Sequence, residues 1–164
     1  MKNPDSLNIC SEAISFESPI GPITIYSDGA AITRVVIGEH SPDQNQSRLL
    51  KRAKNSILEN LAGKPSKIAV PVRLTGTEFQ KAVWDEIAKI AFGSTRSYGE
   101  LASAIGKPAA VRAVGQAVGS NPVPLIIGCH RVLGSSGKIT GFSGGDGIET
   151  KRKLLAIEKI AVKD

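Results

Sequence analysis

The residues whose types and order best suit chemistry are Cys129, His130 and Arg131, which are adjacent in the segment GCHR. A thiol attacks an electrophile as the thiolate, and a neighbouring base and a fixed positive charge both favour that form. The apolar, β-branched residues 123–127 precede this segment, and a loop rich in Gly and Ser follows it. Although a buried cysteine is most often inert packing, this pattern predicts a buried strand whose end delivers one reactive thiol.

A carboxylate near the end of the chain is the predicted partner of His130. Residues 149–160 have the apolar spacing of a helix, and Glu158 lies four residues beyond Leu154 and three beyond Leu155. It therefore falls on or beside the buried face of that helix. Because a buried carboxylate needs a partner, we expect Glu158 to contact His130 and to complete a Cys, His and Glu set of the kind that activates a nucleophile.

The composition indicates a folded protein with a polyanionic partner. The chain has 164 residues, a formal net charge of +6 at pH 7 and a hydrophobic content of 41%, and its pI is about 9.5. This length suits one domain or a small lobe joined to a larger one, and the hydrophobic content excludes wholesale disorder. The positive charge favours nucleic acid over an acidic or neutral partner.

Cysteine and histidine are too few and too scattered for a disulfide framework or a zinc site. The two cysteines, Cys10 and Cys129, and the two histidines, His40 and His130, lack zinc-ligand spacing. Cys10 is expected to be a tolerated small residue in a polar tail. No stretch has the pattern of a signal peptide or the length of a membrane span. We therefore expect a protein of the reducing cytoplasm, with no metal site, no cofactor and no membrane partner.

Short β-branched runs in the first half predict a small antiparallel sheet. Strands are expected at residues 13–16, 23–26, 31–37 and 68–74. The Asp28-Gly29 pair is a hairpin signal, and residues 47–61 have the apolar spacing of a helix. Because residues 1–74 hold no catalytic constellation, they are predicted to form a scaffold lobe.

The second half, residues 75–164, is predicted to be mainly helical. Thr77 opens a capping box and a helix that runs to Gly93, with Trp84 as a core anchor. The predicted fold class is therefore α/β of the α+β kind. A small N-terminal antiparallel sheet with a helix is followed by a mainly helical C-terminal domain, with the boundary between residues 74 and 75.

Two short helices in this half have the shape of a helix-turn-helix. Ser97 opens a second capping box and a helix through Ile105. Pro108 is expected at the first position of the next helix, which spans residues 109–119. The Gly-Lys-Pro turn between them has the length of a helix-turn-helix connection.

The second of these helices is built almost entirely from small residues. Only Arg112 and Gln116 are long and polar, and they lie about one turn apart on the same face. A helix of small residues can approach another surface closely, and in a DNA groove Arg112 would be the residue that reaches in. The residues alone fit a tightly packed internal helix, with Arg112 as a surface charge, equally well.

Several segments in one order resemble a known family, the O6-alkylguanine-DNA alkyltransferases, also called methylated-DNA–protein-cysteine methyltransferases. The matching segments are TEFQKAVWDEIAKI, SYGELA, AVRAVGQAVGSNPVPLII, CHRV, SGKITGFSGG and KRKLLAIE. They cover residues 75–158 almost continuously, and upstream the segment SPIGPITI at residues 18–25 is also similar. An ordered series of motifs is far more specific than CHRV alone.

The resemblance implies that Cys129 accepts the alkyl group from O6 of a damaged guanine in DNA. Glu158, His130 and a bridging water would form the relay that removes the proton from the thiol. The product is a thioether that this site has no means of hydrolysing, so each molecule would act once and be inactivated irreversibly. No cofactor is implied, and a minor activity on O4-methylthymine is consistent with the resemblance.

Further roles follow from the resemblance. Asn121 would be the hinge residue whose amide ties the helix-turn-helix to the active-site segment. Tyr98 would donate its phenol proton toward the purine as guanine leaves, and would crowd the phosphate so that the nucleotide rotates. Arg112 would be the finger that fills the gap left by the flipped base, because a stacked base cannot present O6 to a thiol.

The substrate pocket is also assigned by resemblance. Phe142, Ser143 and Gly144 would line it, with Ser143 bonding the O6 side of the base. The backbone carbonyls of Cys129 and Val132 would read the guanine amine.

The expected partner is double-stranded DNA that contains O6-alkylguanine, bound through the minor groove with little sequence preference. The protein would act as a monomer, and cooperative binding along DNA is left open. Binding should weaken with salt. The candidate phosphate contacts are Thr95, Arg96, Lys107 and Ser135.

Two positions depart from the common pattern of the family. Gly128 stands where relatives most often have Pro, which would widen the backbone choices of the segment that holds Cys129. Phe142 is commonly Tyr, so a hydroxyl is absent.

Three other function classes fit the sequence less well. Binding-only alkyltransferase-like proteins lack the acceptor cysteine that Cys129 supplies here. A helix-turn-helix regulator would normally need a dimerisation element, and the sequence shows none. A cysteine hydrolase is disfavoured because adjacent residues of a strand, such as Cys129 and His130, point in opposite directions.

Overall fold

A computed structural model describes residues 12–42, 44 and 47–163. Its first elements are the strands β1 (Glu12–Phe16), β2 (Ile23–Ser27) and β3 (Ile32–Ile37), which form an antiparallel sheet in the order β1-β2-β3. The predicted strands of this sheet are therefore confirmed. Cys10 lies outside the described residues.

A helix covers one face of this sheet. The helix α1 (Arg48–Leu61) begins after Ser47, whose hydroxyl accepts a hydrogen bond from the Leu50 backbone N–H at 3.2 Å. Its apolar residues Leu50, Ala53 and Ile57 are fully buried. Since their spacing of three or four residues places them on one side of the helix, the predicted helix at residues 47–61 is confirmed.

The strand predicted at residues 68–74 is wrong. This segment forms a single parallel bridge between Val72 and Ile32. The Ile32 N–H donates to the Pro71 carbonyl at 2.8 Å, and the Arg73 N–H donates to the Ile32 carbonyl at 2.9 Å. Pro71 has no N–H to extend a ladder, so the segment lies beside the sheet without joining it as a strand.

The helices that begin at the two capping boxes are confirmed. They are α2 (Glu78–Ala88), capped by Thr77, and α3 (Tyr98–Ala104), capped by Ser97. Trp84 is 1% exposed, and its indole N–H donates to the Ala117 carbonyl at 2.8 Å. Trp84 therefore anchors the core as predicted, although α2 ends earlier than the predicted Gly93.

The helix α4 (Val111–Gly119) begins two residues later than the predicted start at 109. Pro108 does not start it, because the Ala110 N–H closes a turn onto the Lys107 carbonyl at 2.9 Å. Ala110 is the N-cap and has no side-chain oxygen to accept a hydrogen bond from the helix. The end at Gly119 agrees with the sequence.

The buried strand predicted before Cys129 is absent. The segment after α4 is irregular and contains Leu125 in a left-handed conformation with φ of 76°. Pro122 and Pro124 interrupt it, and a residue without an N–H cannot support a regular ladder. Cys129–Arg131 then forms one turn of 3-10 helix.

The last elements complete the setting of this turn. The two-residue strand β5 (Val132–Leu133) follows it and pairs in parallel with β4 (Arg96–Ser97). The helix α5 (Ile148–Ile157) closes the fold and has Glu158 at its C-cap. It begins one residue earlier and ends three residues earlier than the helix predicted at 149–160.

One continuous apolar core joins both halves of the described chain. It contains Ile25 and Ile57 from the sheet and α1, Trp84 from α2, and Val114 and Cys129 from the second half. The boundary predicted between residues 74 and 75 stays a prediction. Across the described residues, the helices are too short or too polar to cross a membrane.

Candidate active site

A buried carboxylate organises the residues around the 3-10 turn. Glu158 Oε2 lies 2.5 Å from His130 Nε2, which is the contact expected from the sequence. Arg131 donates from Nε to Oε1 at 2.8 Å and from Nη2 to Oε2 at 3.0 Å. The Gly93 N–H donates to Oε1 at 2.9 Å. Arg131 therefore binds Glu158 through two hydrogen bonds, and together these contacts satisfy both oxygens of the buried carboxylate.

The protonation states of this pair suit a proton acceptor. Burial alone would raise the pKa of Glu158, but hydrogen bonds from His130 and Arg131 lower it to about 2. Burial lowers the pKa of His130 below its usual value, and Glu158 opposes this only in part. At neutral pH the carboxylate is therefore ionised and the imidazole neutral. A neutral imidazole can accept a proton, and the carboxylate then stabilises the imidazolium.

The position of Arg131 next to Cys129 and His130 suggested that its charge would act on the thiol, but the side chain points elsewhere. Its guanidinium binds Glu158 and also donates from Nη1 to the Ile90 carbonyl at 3.0 Å. The side chain is 8% exposed. Its charge is consequently used to hold the carboxylate.

Gly128 matters for a different reason from the one the sequence suggested. Its φ of −74° is one that proline also adopts, so the backbone freedom of glycine is not used. A Cβ at this position would lie 2.8 Å from Nη1 and 3.1 Å from Cζ of Arg131. The absence of a side chain leaves room for the guanidinium on its way to Glu158.

The thiol of Cys129 is buried and faces a cation that the sequence did not reveal. Burial raises its pKa, and a hydrogen bond with Asn121 and the charge of Lys151 act in the opposite direction. Lys151 is 1% exposed. Its Nζ donates to the carbonyls of Val132 at 2.6 Å and Gly141 at 3.1 Å. Burial lowers the pKa of Lys151 to about 8.

Sequence reasoning missed Lys151 because it stands in the run Lys151, Arg152, Lys153, which is typical of a solvated helix face. A signal was present. Lys151 precedes Leu154 by three residues and Leu155 by four, so it shares their buried face. The same spacing that identified Glu158 would have identified Lys151.

Asn121 connects the end of α4 to the segment that carries the thiol. Its side-chain amide donates to the Ile127 carbonyl at 2.8 Å, and its Oδ1 accepts from the Val123 N–H at 3.0 Å. Both hydrogen bonds are needed to close an irregular loop that has no ladder of its own. Asn121 thus fixes the path into the 3-10 turn.

A cavity of about 760 Å³ opens beside Cys129, between α3, α4 and the loop after β5. Six of the residues singled out from the sequence line it, namely Tyr98, Arg112, Cys129, Ser135, Phe142 and Ser143. Glycines at 99, 115, 119, 134 and 141 form much of the remaining wall. Because glycines have no side chains, the cavity leaves room for a planar ring system to approach the sulfur.

Three of the predicted pocket contacts are engaged elsewhere. The carbonyl of Val132 accepts from Lys151, and Val132 is fully buried. The Ser143 hydroxyl donates to the Gly119 carbonyl at 3.1 Å. Gly144 lies against Phe142, since a Cβ there would be 3.0 Å from its ring. The roles predicted for Val132, Ser143 and Gly144 stay predictions.

The candidate DNA-contact residues differ in their exposure and in the contacts that they already make. Arg112, Thr95 and Ser135 are exposed, and Arg112 lies at the edge of the cavity. Lys107 is exposed, with its ammonium 5.5 Å from the centre of the Phe79 ring.

Arg96 is held by an ion pair, with Nη1 3.0 Å from Oε2 of Glu86. That pair competes with a phosphate contact.

Within residues 12–42, 44 and 47–163, His, Cys, Asp and Glu side chains nowhere come together in threes as metal ligands do.

Comparison with known proteins identifies the family. A family model described as the DNA-binding domain of 6-O-methylguanine DNA methyltransferase matches residues 78–160. A methylated-DNA–protein-cysteine methyltransferase of Mycobacterium tuberculosis is 40% identical over 151 residues, which cover 88% of this chain and 90% of the relative. The chain belongs to the methylated-DNA–protein-cysteine methyltransferase family.

Other members agree in length and structure. A methylated-DNA–protein-cysteine methyltransferase of Haemophilus influenzae is 39% identical over 157 residues, which cover 91% of this chain and 87% of the relative. The crystal structure of Mycobacterium tuberculosis OGT in complex with DNA matches with a TM-score of 0.79 at 40% identity, over 90% of this chain and 93% of that one. As a member of this family, the protein is a methyltransferase of DNA repair and binds DNA.

The ion pairs of Glu158 predict a pH-dependent stability. A carboxylate whose pKa falls from 4.5 to about 2 on folding stabilises the fold fully above pH 4.5, and this contribution is lost as the pH falls toward 2. Glu158→Gln should lower the free energy of unfolding by about 3–5 kcal/mol near neutral pH, because Arg131 is left buried without its counterion. The deficit relative to the wild type should narrow as the pH falls through this window.

Urea unfolding at a series of pH values measures this difference. Glu149→Gln is the control, since Glu149 is an exposed carboxylate on the same helix, and should leave stability almost unchanged. A deficit for Glu158→Gln that stays constant from pH 7 to pH 3 would contradict the ionic origin.

The buried ammonium of Lys151 predicts a more reactive thiol than burial alone would give. Lys151→Met should raise the pKa of Cys129 further and slow thiol alkylation near neutral pH roughly tenfold, because the thiolate loses a nearby positive charge. The measurement is the pH dependence of the rate of iodoacetamide labelling at Cys129. Lys153→Met removes the same charge from an exposed position on α5. Identical pH profiles for the two variants would rule out this role of Lys151.

Proposed function

We propose that this enzyme removes the alkyl group from O6 of guanine in double-stranded DNA and retains it on the sulfur of Cys129. The observation that carries the proposal is the position of Cys129, whose buried thiol lines a cavity of about 760 Å³. The next residue, His130, is paired with Glu158. Water does not displace the thiolate of an alkyl thioether, so the alkyl group stays on the sulfur and each molecule reacts once.

The first step is loss of the thiol proton. His130 uses Nε2 for Glu158, and no atom of the described residues hydrogen-bonds to its buried Nδ1. Nδ1 is therefore the nitrogen that receives the Cys129 proton through a bridging water. The charge on Glu158 stabilises the imidazolium, and Lys151 stabilises the thiolate that forms.

The second step is an in-line displacement at the alkyl carbon. A bond forms between that carbon and the Cys129 sulfur as the bond to O6 breaks, and the electron pair stays with the guanine. Tyr98, which lines the same cavity, donates its phenol proton to the purine ring. Protonation of the leaving base lowers the barrier to its departure.

The base reaches the cavity by leaving the duplex. Unstacking costs a few kcal/mol, which a side chain inserted in the gap and stacking in the pocket offset. Arg112 is exposed at the cavity edge on a helix of small residues and fits the first task. The ring of Phe142 lines the cavity and fits the second. Binding through the minor groove suits a helix that can lie close to DNA.

Phosphate contacts come from the exposed residues Thr95, Lys107 and Ser135, and Arg96 joins them once it leaves Glu86. Ser143 exchanges its hydrogen bond to Gly119 for one to the O6 side of the base.

Residues 1–74 serve as a scaffold for a DNA-binding and alkyl-acceptor domain at 75–164. The protein acts as a monomer, and O4-methylthymine is a minor substrate.

Irreversible transfer to Cys129 predicts a permanent gain in mass. After incubation with a duplex that contains O6-methylguanine, the wild-type protein should carry one methyl group, located on Cys129 by peptide mass spectrometry. Cys129→Ser, which keeps the shape of the site but has a poor nucleophile, should gain none. An undamaged duplex is the matched control. DNA binding without any change of mass would mean that the chain only recognises damage.

The role of Arg112 predicts a defect confined to duplex substrates. Arg112→Ala should slow methyl transfer from the duplex roughly tenfold or more, equivalent to ~1.4 kcal/mol, because the flipped state loses the side chain that fills the gap. Transfer from the free base O6-benzylguanine needs no flipping and should keep its rate. Single-turnover rates for both substrates measure this, with Lys153→Ala as a control for loss of charge. Equal slowing with both substrates would contradict the role in base flipping.

A further inference from the structure

A hydrogen bond joins the phenol of Tyr98 to a residue that the mechanism above does not use. The Thr140 hydroxyl lies 3.0 Å from the Tyr98 phenol oxygen and donates to it. Tyr98 is the first residue of α3, whereas Thr140 is in the loop after β5. Both line the cavity with Cys129. Among the described residues no other group hydrogen-bonds to either hydroxyl.

We propose that Thr140 is a positioning residue that makes Tyr98 a better proton donor during alkyl transfer. The inference rests on the proposed role of Tyr98 as the group that protonates the leaving guanine. It adds to that role a partner that orients the phenol. Because Thr140 is the donor in this hydrogen bond, the phenol O–H stays free to donate to the base.

The chemistry follows from the single proton of a phenol. As the bond between the alkyl carbon and O6 breaks, its electron pair stays with the guanine, and the phenol proton moves to a ring nitrogen of the purine. The phenol oxygen gains negative charge in this step. A hydrogen bond donated by Thr140 to that oxygen stabilises the charged form and thereby favours the transfer. Tyr98 regains a proton from water after the base has left.

Close packing against a glycine positions Thr140. A Cβ on Gly134 would lie 3.2 Å from Cγ2 of Thr140, so this glycine leaves room for the methyl group. A Cβ on Gly115 would lie 3.8 Å from the Tyr98 ring, which is an ordinary van der Waals distance, so α4 borders the phenol without crowding it. A β-branched side chain with its methyl group seated has little choice of χ1. The hydroxyl of Thr140 is therefore directed at Tyr98.

The sharpest test compares two substitutions of Thr140 in single-turnover methyl transfer from an O6-methylguanine duplex. Thr140→Val keeps the branched shape but removes the donor, and should slow the reaction roughly tenfold to a hundredfold. Thr140→Ser keeps the hydroxyl and should restore most of the rate. If Thr140→Ser slows the reaction as much as Thr140→Val does, the proposal is overturned, because the serine variant keeps the hydroxyl and lacks only the methyl group.

A double-mutant cycle with Tyr98→Phe separates proton donation from packing. Thr140→Val should have no further effect in the Tyr98→Phe background, where there is no phenol to assist. Equal slowing in both backgrounds would show a purely structural role and overturn the inference. Labelling of Cys129 by iodoacetamide is the second readout. It should be unchanged in Thr140→Val, because iodide leaves without a proton.

The cycle also distinguishes failure of this inference from failure of the proposed function. If Tyr98→Phe slows methyl transfer and Thr140→Val does not, only the role of Thr140 is wrong. If Tyr98→Phe itself leaves the rate unchanged, Tyr98 is not the proton donor, and both assignments are overturned.

Discussion

The ionised carboxylate of Glu158 is the constraint on which the rest of the site depends. A buried charge is costly unless it is paired and hydrogen-bonded, and this one receives His130, Arg131 and the Gly93 N–H. These groups come from the loop after α2 and from the 3-10 turn, while Glu158 ends α5. A single charge thus joins three separate parts of the chain, and satisfying it places the turn that carries Cys129.

This arrangement divides the positive charges of the site between two tasks. Arg131 follows Cys129 and His130 in sequence, but its planar guanidinium binds the Glu158 carboxylate, for which that geometry is well suited. Lys151 is left as the cation whose charge acts on the Cys129 thiol, and in the part of the chain that the structure describes its hydrogen bonds go to two carbonyl oxygens. Because these partners are carbonyls and not carboxylates, they do not neutralise the ammonium, which can stabilise a developing thiolate.

Much of the fold and part of the site could be predicted from the sequence. The capping boxes at Thr77 and Ser97 and the helix spacing in α1 are local signals, so they were correct. Family resemblance predicted Cys129 as the acceptor, which stays a prediction, and the buried face of the last helix predicted the contact of Glu158 with His130, which the structure contains. The predicted strands at 68–74 and before Cys129 were wrong, because β-branched composition does not record whether a neighbouring strand is available or whether prolines break the ladder.

The sequence by itself therefore determined the elements whose signals lie within three or four residues, and the kinds of side chain that the site contains. The tertiary structure decided where those side chains point. The direction of Arg131 depends on Gly128 and on the Ile90 carbonyl, and the burial of Lys151 depends on the carbonyls of Val132 and Gly141. Such choices are set by which polar groups remain unsatisfied after the chain has packed. Helix spacing can place Lys151 on a buried face, but no local pattern names the groups that it binds.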